Sequence, residues 1–265
     1  MKVANHCGCK RTFLVFLLTS AFMAFCQSPS HATVFWDDEM ESGNSGYSLA
    51  SGAMSFDTST KFSGNGSLRL DYPSQCYPDK ILQGFQCGGY VDRTFPATSN
   101  LYRRFYLKMD NNFTVGDTET KIMATYPGGN TSFTTWWEFR FGSHEFSAVV
   151  SRTADGGSVP YGRGAIPFGQ WVCIETHEQL NTPGQANGVY ELWVNGTQVL
   201  SARNVMFLVS GDNNKMSINR LYRQVGLGSL WFDRIAVGDS RIGCAGSPPP
   251  SNSPPPATPT GLIVQ

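Results

Sequence analysis

Residues 102–109 read YRRFYLKM and alternate with a period of two. Every second side chain, at 103, 105, 107 and 109, belongs to a mostly apolar set, Arg103, Phe105, Leu107 and Met109. The intervening set is polar or amphipathic, Tyr102, Arg104, Tyr106 and Lys108. This alternation predicts a β-strand that packs one face in a core and leaves the other face polar.

Segments with the same alternation recur along the chain, at residues 134–141, 171–180, 188–194 and 230–237. Asn195-Gly196 predicts a tight hairpin turn after the third of these segments. No long stretch between about residues 33 and 246 has helical periodicity. We therefore predict an all-β fold of two packed antiparallel sheets, a β-sandwich or jelly roll.

The chain has 265 residues, with 20 basic and 20 acidic side chains and only 15% charged residues. Balanced charge excludes the basic footprint of a nucleic-acid-binding protein. A hydrophobic content of 40% is far too high for a disordered protein. We expect a globular protein with no nucleic-acid partner.

The N-terminus has the features of a secretory signal peptide. Basic residues precede an apolar run of 13 residues at 13–25, and Ser30-His31-Ala32 follows as a cleavage pattern. The alternative is an uncleaved anchor, but the run is shorter than the roughly 20 residues that span a bilayer. We expect removal of residues 1–32 and a mature protein that is secreted, periplasmic or on the cell surface, without a membrane partner.

Four cysteines remain after residue 32, and in an exported chain they predict two disulfides. Cys76 and Cys87 bracket a short loop and are expected to pair, which leaves Cys173 with Cys244. A zinc site is the competing interpretation, but the spacing does not favour it. From Ser247 the chain is rich in proline, so we divide it into a jelly-roll domain at 33–246 and a linker or tail at 247–265.

Several segments together resemble the concanavalin A-like jelly rolls of exported bacterial polysaccharide-lyase-like proteins. They are FWDDEMESG (35–43), SGNGSLRLDY (63–72), LYRRFYLKM (101–109), TKIMATY (120–126), LNTPGQANGVYELWVNG (180–196) and WFDRIAVGD (231–239). The resemblance spans most of residues 33–240. It implies the fold and a carbohydrate ligand, but this sandwich hosts lyases, hydrolases and lectins alike.

The polar strand faces suggest a groove for an acidic glycan if they all line one sheet. Guanidinium groups pair with carboxylates, and aromatic rings stack on sugars. The side chains expected in this groove are Arg104, Tyr106, Lys121, Trp136, Glu138, Arg140, Glu175, His177, Gln179 and Tyr222.

Elimination at a uronic acid needs a cation to neutralise the carboxylate, a base for the C5 proton and an acid for the leaving oxygen. We predict Tyr106 and His177 as the acid and base, with Arg104, Arg140 and Gln179 neutralising the carboxylate. The substrate-binding residues expected beside them are Lys121, Trp136, Glu138, Glu175 and Tyr222.

A secreted polysaccharide lyase acting by β-elimination on a uronate-containing glycan is the favoured function. One alternative is a non-catalytic, lectin-like carbohydrate-binding module. The other is a glycoside hydrolase, in which Glu138 and Glu175 would meet across neighbouring strands. For each of these polar residues a purely structural role is the competing interpretation.

The chemistry requires no cofactor, but the acidic start of the domain suggests a structural calcium ion. In sandwiches of this kind the first and last strands lie close together, and carboxylates there hold calcium with backbone carbonyls. Asp38, Glu41 and Asp233 are the candidate ligands. We expect a monomer whose partner is a polysaccharide.

Overall fold

A computed structural model describes residues 33–41, 47–49, 54–72, 89–115, 119–127, 133–140, 145–152, 158–209, 215–224 and 226–244. Within these ranges all elements of regular secondary structure are β-strands, which confirms the predicted all-β class. The strands are β1 (Val34–Asp38), β2 (Ser48–Leu49), β3 (Met54–Asp57), β4 (Ser67–Tyr72), β5 (Gly89–Thr98), β6 (Asn100–Met109), β7 (Glu119–Tyr126), β8 (Phe133–Arg140), β9 (Glu145–Arg152), β10 (Ser158–Ala165), β11 (Val172–Gln179), β12 (Gly188–Val194), β13 (Thr197–Val205), β14 (Met216–Arg223) and β15 (Gly228–Gly238). The predicted signal peptide, the proline-rich tail and the Cys76–Cys87 pair fall outside the described residues.

The strands form two antiparallel sheets. The eight-stranded sheet has the order β13-β12-β11-β6-β15-β4-β3, with β1 also paired to β15. The seven-stranded sheet has the order β10-β9-β8-β7-β14-β5-β2. Val34 pairs with Gly238, so the first and last strands are neighbours, as the resemblance implies. The two sheets pack as the predicted sandwich.

The core lies between the inner faces of the two sheets. Phe105 and Leu107 of β6 are fully buried, and the Phe105 ring lies 5.8 Å from that of Phe232 on β15. The seven-stranded sheet contributes Met123 and Leu221, which are also fully buried. Each such side chain contributes about 1.5–3 kcal/mol through removal of apolar surface from water.

The predicted hairpin joins β12 to β13. Asn195 and Gly196 have φ angles of 49° and 80°, the pair of positive values that a type I′ turn requires. The Asn195 Oδ1 atom accepts a hydrogen bond from the backbone N–H of Cys173 at 3.0 Å. The turn residue therefore also fastens the hairpin to the start of β11.

A disulfide fastens the end of the domain to the outer face of β11. Cys173 is bonded to Cys244, as predicted, across a sequence separation of 71 residues. The Glu175 Oε1 atom accepts hydrogen bonds from the N–H groups of Ile242 at 2.6 Å and Gly243 at 3.0 Å. Residues 242–244 are thus held against the eight-stranded sheet.

Candidate active site

The predicted site residues lie on strands of two different sheets. Arg104 and Tyr106 lie on β6, and Glu175, His177 and Gln179 lie on β11, both in the eight-stranded sheet. The others lie on β7, β8 and β14 of the seven-stranded sheet, at Lys121, Trp136, Glu138, Arg140 and Tyr222. The expectation that all of them line one groove is wrong, because alternation assigns a residue to a face of its strand but does not assign the strand to a sheet.

The same division removes the arrangement expected for a hydrolase. Glu138 lies on β8 and Glu175 on β11, so the two carboxylates belong to different sheets and do not face each other on neighbouring strands. The side chains of Trp136, Glu138 and Arg140 are outside the described part of the structure.

On the eight-stranded sheet, Arg104 and Tyr106 are buried. The Tyr106 ring stacks on Phe62 with 3.7 Å between the ring centroids. Arg104 Nη2 donates a hydrogen bond to Asp37 Oδ1 at 2.8 Å. Both side chains face outward from their sheet, but other parts of the chain cover them. A glycan would have to displace these contacts to reach either side chain. The catalytic roles predicted for Arg104 and Tyr106 stay predictions.

His177 is also buried, and both of its ring nitrogens have partners. Nδ1 lies 2.7 Å from Glu191 Oε2, and Nε2 lies 2.8 Å from Asn100 Oδ1. The Tyr102 ring stacks on the imidazole at 4.0 Å. Burial lowers the pKa of His177, against the opposing effect of the Glu191 carboxylate. Neither nitrogen is available to a substrate in this arrangement.

The remaining predicted residues of β11 differ in their surroundings. Glu175 is fully buried, and besides the N–H groups of residues 242 and 243 its Oε2 atom binds Arg241 Nε at 3.3 Å. These bonds mean that Glu175 holds the C-terminal segment in place. Gln179, in contrast, is exposed at the end of β11, where its backbone pairs with Asn100.

The outer face of the seven-stranded sheet carries a cluster of tyrosines around one arginine. The hydroxyl oxygens of Tyr126 on β7 and Tyr222 on β14 form a hydrogen bond. Arg220 Nη1 lies 3.4 Å from the Tyr222 hydroxyl oxygen, to which it donates. The Arg220 guanidinium carbon lies 3.6 Å from the ring centroid of Tyr90 and 4.5 Å from that of Tyr126. We call Tyr90, Tyr126, Arg220 and Tyr222 the tyrosine cluster.

Asp92 on β5 fixes the arginine of this cluster. Arg220 Nε and Nη2 donate to the two carboxylate oxygens of Asp92 at 2.6 and 2.7 Å. Burial would lower the pKa of Arg220, but the bonds to Asp92 and Tyr222 outweigh it and hold the pKa above its usual value. A bidentate pair also restricts orientation, so Arg220 presents Nη1 to Tyr222 as a permanent cation.

The two contacting tyrosines have different surroundings. Burial and the hydrogen bond with Tyr222 raise the pKa of Tyr126 well above its usual value. Tyr126 therefore keeps its proton at any pH near neutrality. A Tyr222 oxygen that had lost its proton would accept hydrogen bonds from both the Tyr126 hydroxyl and Arg220.

Lys121 lies beside the cluster on β7. It is half-buried between Thr120 and Ile122, which are fully buried, so it faces outward. Its backbone N–H donates to Gln224 Oε1 at 3.1 Å, which links β7 to the end of β14. The register places position 138 of β8 opposite Lys121. Lys121 and the cluster therefore share one outer face.

Sequence reasoning included Lys121 and Tyr222 but missed Tyr90, Asp92, Tyr126 and Arg220. The segment at 220–224, RLYRQ, alternates as β14 does, and it contains both Arg220 and Tyr222. Tyr126 ends the TKIMATY segment and Tyr90 lies near the start of β5. Only the pairing of β14 with both β5 and β7 brings these side chains together.

The three predicted calcium ligands bind protein groups. Asp38 accepts from the Met40 N–H at 2.8 Å and forms an ion pair with Arg93. The Glu41 oxygens accept from the Asn65 N–H at 2.9 and 2.8 Å. Across the described ranges, no group of three or more His, Cys, Asp or Glu side chains is placed to hold a metal ion. The calcium site stays a prediction.

The carboxylate of Asp233 holds the loop between β3 and β4. Its Oδ2 accepts hydrogen bonds from the N–H groups of Phe62 at 2.7 Å and Ser63 at 3.1 Å. Its Oδ1 accepts from the Arg234 N–H at 2.7 Å. Burial raises the pKa of Asp233 to about 6. Because Phe62 covers Tyr106, Asp233 indirectly holds that cover in place.

Residues 139–228 match the family model described as polysaccharide lyase 14. This segment includes β14 with Arg220 and Tyr222, and it includes β11 with His177. Among curated proteins, none matches the sequence significantly. In the described part of the chain, no helix is long and apolar enough to cross a membrane.

Three solved structures have a similar fold. The cellulose-induced protein Cip1 is 17% identical with a TM-score of 0.55, over 79% of this chain and 100% of its own. The endo-β-1,4-glucuronan lyase from the fungus Trichoderma reesei is 14% identical with a TM-score of 0.56, over 78% of this chain and 96% of its own. The marine PL-14 alginate lyase from Aplysia kurodai is 12% identical with a TM-score of 0.55, over 78% of this chain and 99% of its own. At these identities the likeness shows the jelly-roll fold alone, and within it residues 139–228 are similar to the polysaccharide lyase 14 model.

Proposed function

We propose that this protein is a polysaccharide lyase that cleaves a uronate-containing glycan by β-elimination on the outer face of the seven-stranded sheet. The observation that carries the proposal is the hydrogen bond between the Tyr126 and Tyr222 hydroxyls beside Arg220. The match to the polysaccharide lyase 14 model, which includes β14, supports it. Two of the similar structures are named as lyases of glucuronan and alginate, which are both uronate polymers.

The cluster suits the proton transfers of this reaction. A base takes the proton from C5 of the uronate, the electron pair forms the C4–C5 double bond, and the bond from C4 to the leaving oxygen breaks. In our proposal the ionised form of Tyr222 is the base, because the Tyr126 hydroxyl and Arg220 can then both donate to its oxygen and stabilise the negative charge. The proton that Tyr222 takes then passes to the leaving oxygen.

The substrate carboxylate needs a cation, and we assign Lys121 to it. Arg220 is bonded through two nitrogens to Asp92 and through the third to the Tyr222 hydroxyl, so in the proposal it acts on Tyr222. Lys121 lies on the adjacent strand of the same outer face and carries a compact charge on a flexible stem. Neutralising the carboxylate makes the C5 proton more acidic, because negative charge develops there during its removal.

The substrate class and the location of the protein belong to the same proposal. A site with a lysine and several tyrosine rings favours an acidic glycan, and the tyrosine faces suit stacking on sugar rings. The Cys173–Cys244 disulfide supports export, because such bonds persist in oxidising compartments. We propose a secreted, periplasmic or cell-surface monomer.

The test incubates the chain from Thr33 onward with glucuronan, alginate and a pectic glycan. We expect products with an unsaturated, ultraviolet-absorbing end, each lighter by one water molecule than the corresponding product of hydrolysis. Lys121→Met should lower kcat/KM by about 100-fold through loss of a charge-assisted contact. Arg69→Met, at a partly exposed ion pair on β4 of the other sheet, is the matched control and should retain activity.

Three results would contradict the proposal. Saturated reducing ends would indicate a glycoside hydrolase. Binding of a glycan without any cleavage would indicate a lectin-like module. Unsaturated products formed equally fast by Lys121→Met would place the reaction elsewhere on the protein.

A further inference from the structure

A buried polar network joins the two sheets directly beneath the tyrosine cluster. Its centre is the ion pair between Arg103 on β6 and Glu178 on β11, with 2.6 Å between Arg103 Nη2 and Glu178 Oε1. Both side chains are completely inaccessible to solvent. Removing two charges from water is costly, so such a pair is poor evidence for stability and calls for another explanation.

The pair is bonded to three strands of the opposite sheet. Arg103 Nη1 donates to Asn219 Oδ1 on β14 at 2.8 Å. Glu178 accepts hydrogen bonds from the hydroxyls of Thr125 on β7 at 3.3 Å and Thr135 on β8 at 2.8 Å. Each of the two charged residues thus fixes polar groups that sit on the inner face of the seven-stranded sheet.

Asn219, Thr125 and Thr135, which form these bonds, lie in one row across the sheet. Thr125 pairs with Asn219 on one side and with Thr135 on the other. Asn219 Nδ2 also donates to the Tyr47 hydroxyl at 3.2 Å, which extends the row toward β5. The network therefore fixes β14, β7 and β8 relative to one another at the row formed by Asn219, Thr125 and Thr135.

Residues of the tyrosine cluster are the immediate chain neighbours of this row. Tyr126 follows Thr125, and Arg220 follows Asn219. Successive residues of a strand point to opposite faces, so fixing the inner residue fixes the direction of its outer neighbour. A shift of either strand would separate the Tyr126 hydroxyl from that of Tyr222.

We propose that Arg103 and Glu178 are positioning residues, which hold β7 and β14 in the register that brings Tyr126, Tyr222 and Arg220 together. This inference rests on the proposed function for its effect on turnover. Its effect on the geometry of the tyrosines can be measured without any substrate.

The test is the double variant Arg103→Met/Glu178→Leu, which replaces the ion pair with apolar side chains of similar length. Such replacements commonly preserve the fold. We expect kcat to fall by about 10- to 100-fold with KM changed less than about threefold, because a misplacement of about 1 Å is enough for such a loss.

The readout that does not need activity is NMR of ¹³C-labelled tyrosine rings. The signals of Tyr126 and Tyr222, assigned with Tyr126→Phe and Tyr222→Phe, should move in the double variant. Leu200→Ala is the matched control, because it opens a cavity on the distant edge strand β13. It should lower the melting temperature but leave these signals unchanged.

A folded double variant with unchanged tyrosine signals would overturn the inference, whether or not the parent protein cleaves a glycan.

If the double variant does not fold, the variant Thr125→Val tests the inference instead, since it removes one hydrogen bond to Glu178 with little change of shape. It should shift the Tyr126 signal and lower kcat by about threefold. An unchanged Tyr126 signal in Thr125→Val would contradict the proposal. If the parent is inactive on every glycan but the signals move, the proposed function fails while the positioning role stands.

Discussion

At the scale of single residues, the contacts of a side chain distinguish residues that could act on a substrate from residues that only stabilise the fold. Tyr106 and Tyr222 both point outward from their strands, but Phe62 covers the first, whereas the second contacts another hydroxyl beside a cation. His177 has the residue type expected of an acid or base, yet Glu191 and Asn100 engage both of its nitrogens. The partners of a side chain thus decide its role more than its residue type does.

Asp233 gives a prediction at this scale for the pH dependence of stability. Burial raises its pKa in the folded protein from 3.8 to about 6, so the folded state binds more protons than the unfolded state between these pH values. The contribution of Asp233 to the free energy of unfolding should therefore fall by about 2 kcal/mol as the pH rises from 4 to 6. Urea titrations at several pH values measure this, and Asp233→Asn should remove most of the slope. If the difference in free energy of unfolding between the parent and Asp233→Asn rises over this range, the three N–H donors outweigh burial.

At the scale of elements, the Cys173–Cys244 disulfide gives a second prediction. It closes a loop of 71 residues, so the chain-entropy model assigns it about 4–5 kcal/mol. The double variant Cys173→Ala/Cys244→Ala should lose about that much free energy of unfolding in urea. Cleavage by a protease near residues 242–244 should also become faster, because the segment would lose its covalent link to β11. A loss below about 1 kcal/mol would contradict the prediction.

Strands and their faces could be predicted from local sequence, but the sheets could not. The alternation at 102–109 correctly assigns Phe105 and Leu107 to the core, and Asn195-Gly196 correctly marks the hairpin. Local patterns carry no information about which strands pair, so Arg104 and Lys121 were expected in one groove although they lie in different sheets. Arg103 was assigned to the packed face, but its partner Glu178 lies 75 residues away, and no local pattern relates them.

At the scale of the whole molecule, the sandwich has two outer faces with different properties. On the eight-stranded sheet, the loop containing Phe62 and the segment 242–244 cover the central strands. On the seven-stranded sheet, Lys121 and Tyr222 remain partly exposed. Between the faces, Arg103 and Glu178 tie the sheets together under the tyrosine cluster. The central claim is that glycan cleavage takes place on the second of these faces.

Initial rates of unsaturated-product formation for the parent, Tyr222→Phe and Tyr106→Phe test this claim most directly, on whichever uronate glycan the parent cleaves. Each variant removes one hydroxyl from an outward-pointing tyrosine, and the two tyrosines lie on opposite faces. We predict that Tyr222→Phe lowers kcat by roughly 10²–10⁴-fold with glycan binding retained, because a proton transfer is lost. Tyr106→Phe should keep a kcat within about threefold of the parent, as expected for a buried structural side chain. The reverse pattern, with Tyr106→Phe inactive and Tyr222→Phe fully active, would contradict the account and place the reaction on the eight-stranded sheet.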